Sequence, residues 1–410
     1  MGFPCSKKRL TLAALLLAGL LLCLFSPTAR ALRALPDALT LYEGQVCRMP
    51  LGLAALSSGD EKLVSCQGDG VSAGETGEGA VSVSLFGLIP LQKMEVQVKE
   101  KRVLIPGGQA VGVAMQMQGV MVVGVARDGG AQGRLRAGDV LLSLDGQPLA
   151  SAEQLSRAVA SGGGKSMTAL VNRDGRSLTV PVTPVQDGEG YRLGVWVRSS
   201  TAGVGTLTYV DPKTGAYGAL GHAVSDGDTG RLFTVARGRL MPAGIVDVRR
   251  GARGAPGELR GNFSMDETPL GDIAKNTVYG VYGRWTGKTE STLYPEGLPV
   301  GYRSSVHTGR ATILSTVDEE GPRAYEAEIV QVSRQSEPSG KSFVIRVTDP
   351  ALIRKTGGIV QGMSGSPVIQ DGMLVGAVTH VFVDDPLRGY GLYIEWMLEE
   401  SDVPAADSAA

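Results

Sequence analysis

The sequence predicts a mainly β chain of two or three domains, and three observations carry that prediction. The length, 410 residues, exceeds what one compact core holds. Glycine occurs 58 times with aromatics at only 5%; that is about twice the usual ~7% glycine and, with no Gly-X-Y period, reads as many tight turns rather than collagen. Short apolar or alternating runs, at 94–99, 204–210, 341–347 and 373–383, are divided by Gly, Pro and Asp. Hydrophobic residues at 43% and charged ones at 20% suit a folded chain. A net charge of −1 argues against a general nucleic-acid binder. Three histidines and four cysteines leave little room for a metal centre, so no metal or cofactor is expected.

From the N-terminus, Lys7, Lys8 and Arg9 precede an apolar run of sixteen residues at 10–25, then Ser26-Pro27 and the small-x-small signal Ala29-Arg30-Ala31. Residues 1–31 therefore read as a signal peptide or an N-terminal membrane anchor, and the remainder as exported. Residues 32–102 form an N-terminal region in which 68–79, rich in Gly, Ser and Glu, reads as a linker; the alternation at 94–99 reads as a half-buried strand. Cys47 and Cys66 face an oxidising space, so they are either bridged or two buried thiols.

The next domain, expected at 103–186, centres on Leu-Arg-Ala-Gly-Asp-Val-Leu-Leu-Ser-Leu-Asp-Gly at 135–146. A helix is predicted from Ser151, a good N-cap, to about Ala160, with Leu155 and Val159 on one face; a hairpin is predicted around Arg173-Asp174-Gly175-Arg176. This order resembles a PDZ domain, which binds an extended peptide as an added strand. The resemblance implies a carboxylate loop at 106–112, with Gly107, Gly108, Gly112 and Val113 at the groove. The alternative is a PDZ fold that only packs on its neighbour.

Residues 194–400 read as a second β domain, with 401–410 as a tail. Arginines 231, 237, 239, 249, 250, 253 and 260 suit a solvated strand face better than an anionic partner surface. The sharpest chemical signal is Gly362-Met363-Ser364-Gly365-Ser366-Pro367. A serine hydroxyl needs a base for its proton and donors for the oxyanion it creates. The Gly-x-Ser-x-Gly elbow of α/β-hydrolases would need Gly at 366. The loop instead resembles that of chymotrypsin-like proteases, which implies a double β-barrel, Ser364 as nucleophile, and the amides of Gly362 and Ser364 as the oxyanion hole. Among the histidines, His222 sits between small residues at a strand end and precedes the serine; it is the preferred base. His307 reads as a surface loop residue. His380 reads as a core or supporting histidine, or as a wall of the S1 pocket. Seven aspartates, 226, 228, 247, 266, 272, 318 and 349, lie between His222 and Ser364, and spacing does not choose among them.

Four stretches, 221–226, 256–261, Gly-Gly-Ile-Val-Gln-Gly-Met-Ser-Gly-Ser-Pro at 357–367, and 376–381, resemble the stage IV sporulation protein B family, PDZ-containing serine peptidases of endospore formers. The resemblance runs over 85–398 and implies Ser364 as nucleophile, His222 as base and Asp349 as orienting acid, with Asp226 and Asp228 as rivals. Met363 stands where many trypsin-like enzymes place an Asp that pairs with a newly cut N-terminus, so that activation route is not expected. The resemblance further implies a signalling protease between mother cell and forespore. It would cut itself, then the extracytoplasmic part of a membrane regulator, so activating an intramembrane protease and a late sigma factor. A peptide held by the PDZ domain, in cis or in trans, is the expected partner, and nucleic acid is not. Two rival functions are a non-catalytic PDZ adaptor on an inactive protease fold and a general extracytoplasmic quality-control protease.

Overall fold

A computed structural model describes Ala29, Leu32 and residues 35–402, apart from Pro50, Glu189, Thr289, Glu290, Thr292 and Ser336. The segment expected to direct export, with Cys5 and Cys23, lies outside the described residues apart from Ala29, and so does the tail from 403. The chain divides into two compact units, Met1–Arg102 with Gly301–Val306, and Val103–Val300 with His307–Ala410. Among the described residues no helix is long and apolar enough to cross a membrane.

In the first unit, Ala38–Tyr42, Ile89–Lys99, Gly77–Leu85 and Ala54–Ser58 form a four-stranded sheet in that order. The alternation at 94–99 does what its period dictates: Met94, Val96 and Val98 are buried, while Glu95, Gln97 and Lys99 point the other way. A second sheet has the order Val46–Arg48, Gly70–Ala73, Val64–Gln67. The segment at 68–79 is therefore not a linker. It carries the strand Gly70–Ala73, with Val71 and Ala73 buried, and the start of Gly77–Leu85, whose Val81 and Val83 are buried just beyond it. Of the two alternatives for Cys47 and Cys66, the bridge is not formed. Both cysteines are free. They pair with the same residue, Val71, from opposite sides. Two strand spacings are about 9.6 Å, beyond the roughly 7 Å that a disulfide spans.

The second unit is built on two sixteen-residue strands, Ala110–Val125 and Val195–Val210, paired antiparallel from Ala110↔Thr206 to Val125↔Val195. One end of this pair lies in a PDZ domain. There Arg176–Val182, Met167–Arg173 and Val140–Leu144 continue the sheet. The helix Ala152–Ser161 covers it with Leu155, Ala158 and Val159 inward, and the Ser151 hydroxyl accepts from the Gln154 N–H. The predicted Asp-Gly turns form at 145–146 and 174–175, all four residues having positive φ. The Gly-Asp of the central string has a physical reason. The Asp139 carboxylate is fully buried and accepts from the Arg136 N–H and from both Nε and a terminal nitrogen of Arg173, at 2.8 and 2.7 Å.

The other end of the strand pair belongs to a first barrel, with Ala216–Ala219, Gly280–Arg284 and Lys275–Thr277 continuing the sheet. Val235–Pro242 pairs with the start of Ala110–Val125. Its core joins Val111, Val113, Met115 and Met117 to Leu207, Tyr217, Leu240 and Trp285. The PDZ boundary expected at residue 103 is thereby corrected. Val103–Pro106 pairs with Tyr209 and Val210, and 110–117 packs in the barrel core, so the barrel begins before the PDZ domain and resumes after it. The second barrel is closed by six strands, Gly309–Thr316, Pro322–Val332, Phe343–Val347, Asp385–Tyr393, Met373–Phe382 and Pro367–Gln370. A last helix, Ile394–Asp402, packs on strands of both barrels. The chain is mainly β, and its second unit joins a PDZ domain to a chymotrypsin-like double β-barrel.

The Asp139→Ala substitution leaves the Arg173 guanidinium without its buried partner, and a stability loss of about 3 kcal/mol is expected. A chemical denaturation midpoint unchanged from wild type would contradict this.

Candidate active site

Ser364 and His222 line one cavity of 530 Å³, together with His380, Thr201 to Val204, Leu220, Ile359, Val360, Gly362 and Val381. His222 follows the strand Ala216–Ala219 through a sharp bend in which Leu220 and Gly221 have φ of 69° and 68°. A left-handed leucine costs roughly 1–2 kcal/mol. It is held because its side chain is buried and its N–H donates to the Thr206 carbonyl. His222 Nδ1 lies 2.7 Å from the Ala223 carbonyl. A carbonyl only accepts, so Nδ1 carries the proton and Nε2 keeps its lone pair. Burial pushes the His222 pKa down, against the opposing effect of that hydrogen bond.

The serine loop is clamped by the strand Val195–Val210. The hydroxyls of Thr206 and Thr208 donate to the carbonyls of Gly362 and Gly365, each at 2.8 Å, and the Thr206 N–H donates to the Ser364 carbonyl. Gly362 has φ of 96°, and a Cβ there would stand 2.9 Å from Leu259 Cβ, so only glycine fits. Neighbouring amides are used up: Met363 donates to Val360, Gly365 to Val378 and Ser366 to Met363. The amides of Gly362 and Ser364 have no protein acceptor among the described residues, as an oxyanion hole requires. Met363 is fully buried. The Ser364 hydroxyl rests on the Thr379 carbonyl at 2.8 Å.

The other sequence candidates are placed as follows. His380 stands on the cavity wall with its ring 5.0 Å from that of His222. Burial, then His222 and Lys341, push its pKa down. His307 does not line the cavity and bonds Asp371 at 2.8 Å. Asp349 as orienting acid is corrected. It is the N-cap of the helix Pro350–Thr356: one oxygen accepts from the Ala351 and Leu352 N–H groups and the other from Glu326. Asp226 and Asp228 do not serve either, since both bind Arg198. The Ala223 carbonyl occupies the place an acid would take. The carboxylate loop is also corrected. Gly107 and Gly108 donate to Thr208 and Leu207 inside the barrel, and Gly112 and Val113 pair with strands on both sides. In the PDZ domain it is the start of Val195–Val210, beside the helix Ala152–Ser161, that forms the sheet edge. Thr206, Thr208 and Leu220 were missed; the signal for the two threonines is their alternation with Leu207 and Tyr209, and they are 2% and 0% exposed.

A serine on a loop with two uncommitted amides, facing an imidazole across a cleft between two barrels, defines a chymotrypsin-like serine endopeptidase carrying a PDZ domain. The family model SpoIVB peptidase S55 matches residues 189–398. The chain belongs to that family. Among solved structures, the PDZ domain of the SdrC-like protein from Listeria monocytogenes is 22% identical, over 20% of this chain and 87% of its own, with a TM-score of 0.19. The active form of the Rv3671c protease from M. tuberculosis is 16% identical, over 51% of this chain and 78% of its own, with a TM-score of 0.28. The HtrA-type protease AlgW with a decapeptide is 13% identical, over 53% of this chain and 57% of its own, with a TM-score of 0.30. No curated protein matches the chain.

Two substitutions separate these roles. Gly362→Ala is expected to lower kcat about a hundredfold by misplacing an oxyanion donor. Asp349→Ala is expected to cost about 1 kcal/mol of stability as a lost helix cap. It should leave the pH profile of kcat/KM in place, whereas loss of a triad acid lowers kcat about ten-thousandfold. A collapse of that size at unchanged stability would return Asp349 to the catalytic group.

Proposed function

We propose that this serine endopeptidase is an exported protease of sporulation signalling. It cleaves itself near its N-terminus. It then cuts the extracytoplasmic part of a membrane regulator, so activating an intramembrane protease and a late sigma factor. The observation that carries the catalytic part is the pair of unpartnered amides beside Ser364; membership of the SpoIVB peptidase family supports the signalling part. The steps follow from the site. The Ser364 hydroxyl leaves the Thr379 carbonyl and gives its proton to His222 Nε2 as Oγ bonds to the peptide carbonyl carbon. The oxyanion takes the N–H groups of Gly362 and Ser364. His222 returns the proton to the leaving amine. Water, deprotonated by His222, then releases the acyl group and restores Ser364.

The proposed PDZ ligand is a peptide, in cis or in trans, added as a strand along the edge that starts at Val195. Four residues of the same strand, 201–204, line the catalytic cavity, which supports a role for that ligand in when the peptidase acts.

The mature N-terminus of wild type compared with that of Ser364→Ala tests the proposal. Wild type should show a shortened N-terminus that the variant lacks, and the variant should fail to produce regulator fragments; identical fragments from both proteins would sink it. His222 must be neutral to accept the proton, so activity is lost as pH falls through its pKa. Because burial lowers that pKa, the acid limb of kcat/KM is expected below the ordinary histidine value of about 6.5.

A further inference from the structure

The N-terminal unit carries an apolar tip that the peptidase chemistry does not use. The hairpin of Gly77–Leu85 and Ile89–Lys99 turns through Phe86 and Gly87, and the Leu88 N–H closes the turn on the Leu85 carbonyl. Phe86, Leu88, Ile89 and Leu91 are 62%, 84%, 56% and 43% exposed. The neighbouring turn adds Leu53 at 59%, tied in by the Phe86 N–H donating to the Leu53 carbonyl. No charged residue occurs at 85–92 or at 49–59. Phe86 has φ of 53°, a position where turn chemistry prefers Asn, Asp or Gly. The large ring is thus kept against local preference, and kept exposed. Large apolar side chains gathered on one exposed tip mark a contact surface rather than scattered surface leucines.

The course of the chain says what that surface meets. Ala38–Tyr42 runs parallel to Ile89–Lys99, with Ala38 beside Glu95. Preceding residues therefore lead towards the tip, and the Gln92 amide reaches Asp37. Gln92 is four residues from Leu88, about 13 Å along a strand. In sequence, the apolar run at 10–25 precedes Ala38–Tyr42. We propose that the tip formed by Phe86, Leu88, Ile89 and Leu53 inserts into a lipid bilayer surface. Apolar side chains anchored in this way reach about 5–10 Å into the headgroup and acyl boundary.

Bromolipid quenching of the full chain tests the proposal, in vesicles of phosphatidylethanolamine and phosphatidylglycerol with brominated acyl chains. Leu88→Trp places a tryptophan at the tip. Lys62→Trp places one beyond the far end of Ala54–Ser58, the strand that leaves the tip. After subtraction of wild-type emission, the tryptophan at 88 should be quenched and blue-shifted and the one at 62 should not. Leu53→Trp repeats the measurement on the second turn should the first variant misfold. Equal quenching at 88 and 62 would mean that the apolar run alone holds the chain near lipid. No quenching at 88 or 53 would mean that the tip faces water or a protein partner. Either result overturns the proposal.

Discussion

The pairing of Ala110–Val125 with Val195–Val210 is the interaction on which the catalytic unit depends. Each strand is long enough to serve two domains. At one end the pair supplies the edge of the PDZ sheet. At the other it supplies barrel core through Val111, Val113 and Leu207. Between them, residues 201–204 line the cavity, and Thr206 and Thr208 grip the serine loop. A register slip of one residue would turn every side chain of these strands to the opposite face and release the loop. The catalytic loop is thus positioned by hydrogen bonds from a strand more than 150 residues earlier in the chain.

The second organising constraint is the bend at Leu220 and Gly221. It aims His222 at the cavity, and it brings Ala223 round so that its carbonyl takes the Nδ1 proton. A carbonyl orients the ring and selects the tautomer, but it carries no net charge to stabilise the imidazolium that forms during attack. Arg198 meanwhile binds Asp226 and Asp228 on the loop that follows His222. Since Arg198 lies on Val195–Val210, the PDZ sheet edge and the histidine loop are linked by charge-assisted hydrogen bonds as well as by backbone.

The parts of this structure that were legible in the sequence are local ones. The loop at 362–367 and the small residues around His222 carry their chemistry within a few positions. The PDZ string at 135–146 was readable because Asp139, the Asp-Gly turns and the capped helix are consecutive. Long-range facts were not readable. Cys47 and Cys66 are close in sequence, yet the strand Gly70–Ala73 lies between them. Asp349 matched a family position, but its own context, an Asp before Pro350 at a helix start, is a capping signal, and the structure follows that signal. The PDZ boundary was misplaced because 110–125 is one strand in the structure, and nothing in its composition marks where one domain hands it to the other.

Met363 has a consequence for timing. It is buried where an aspartate would wait for a freshly cut amino terminus, and the two amides beside it are already uncommitted in the uncut chain. The oxyanion site is therefore complete from the moment of folding. A new amino terminus would find no carboxylate to pair with at this position. What the cavity admits, rather than a rearrangement of the serine loop, then decides when Ser364 meets a peptide bond.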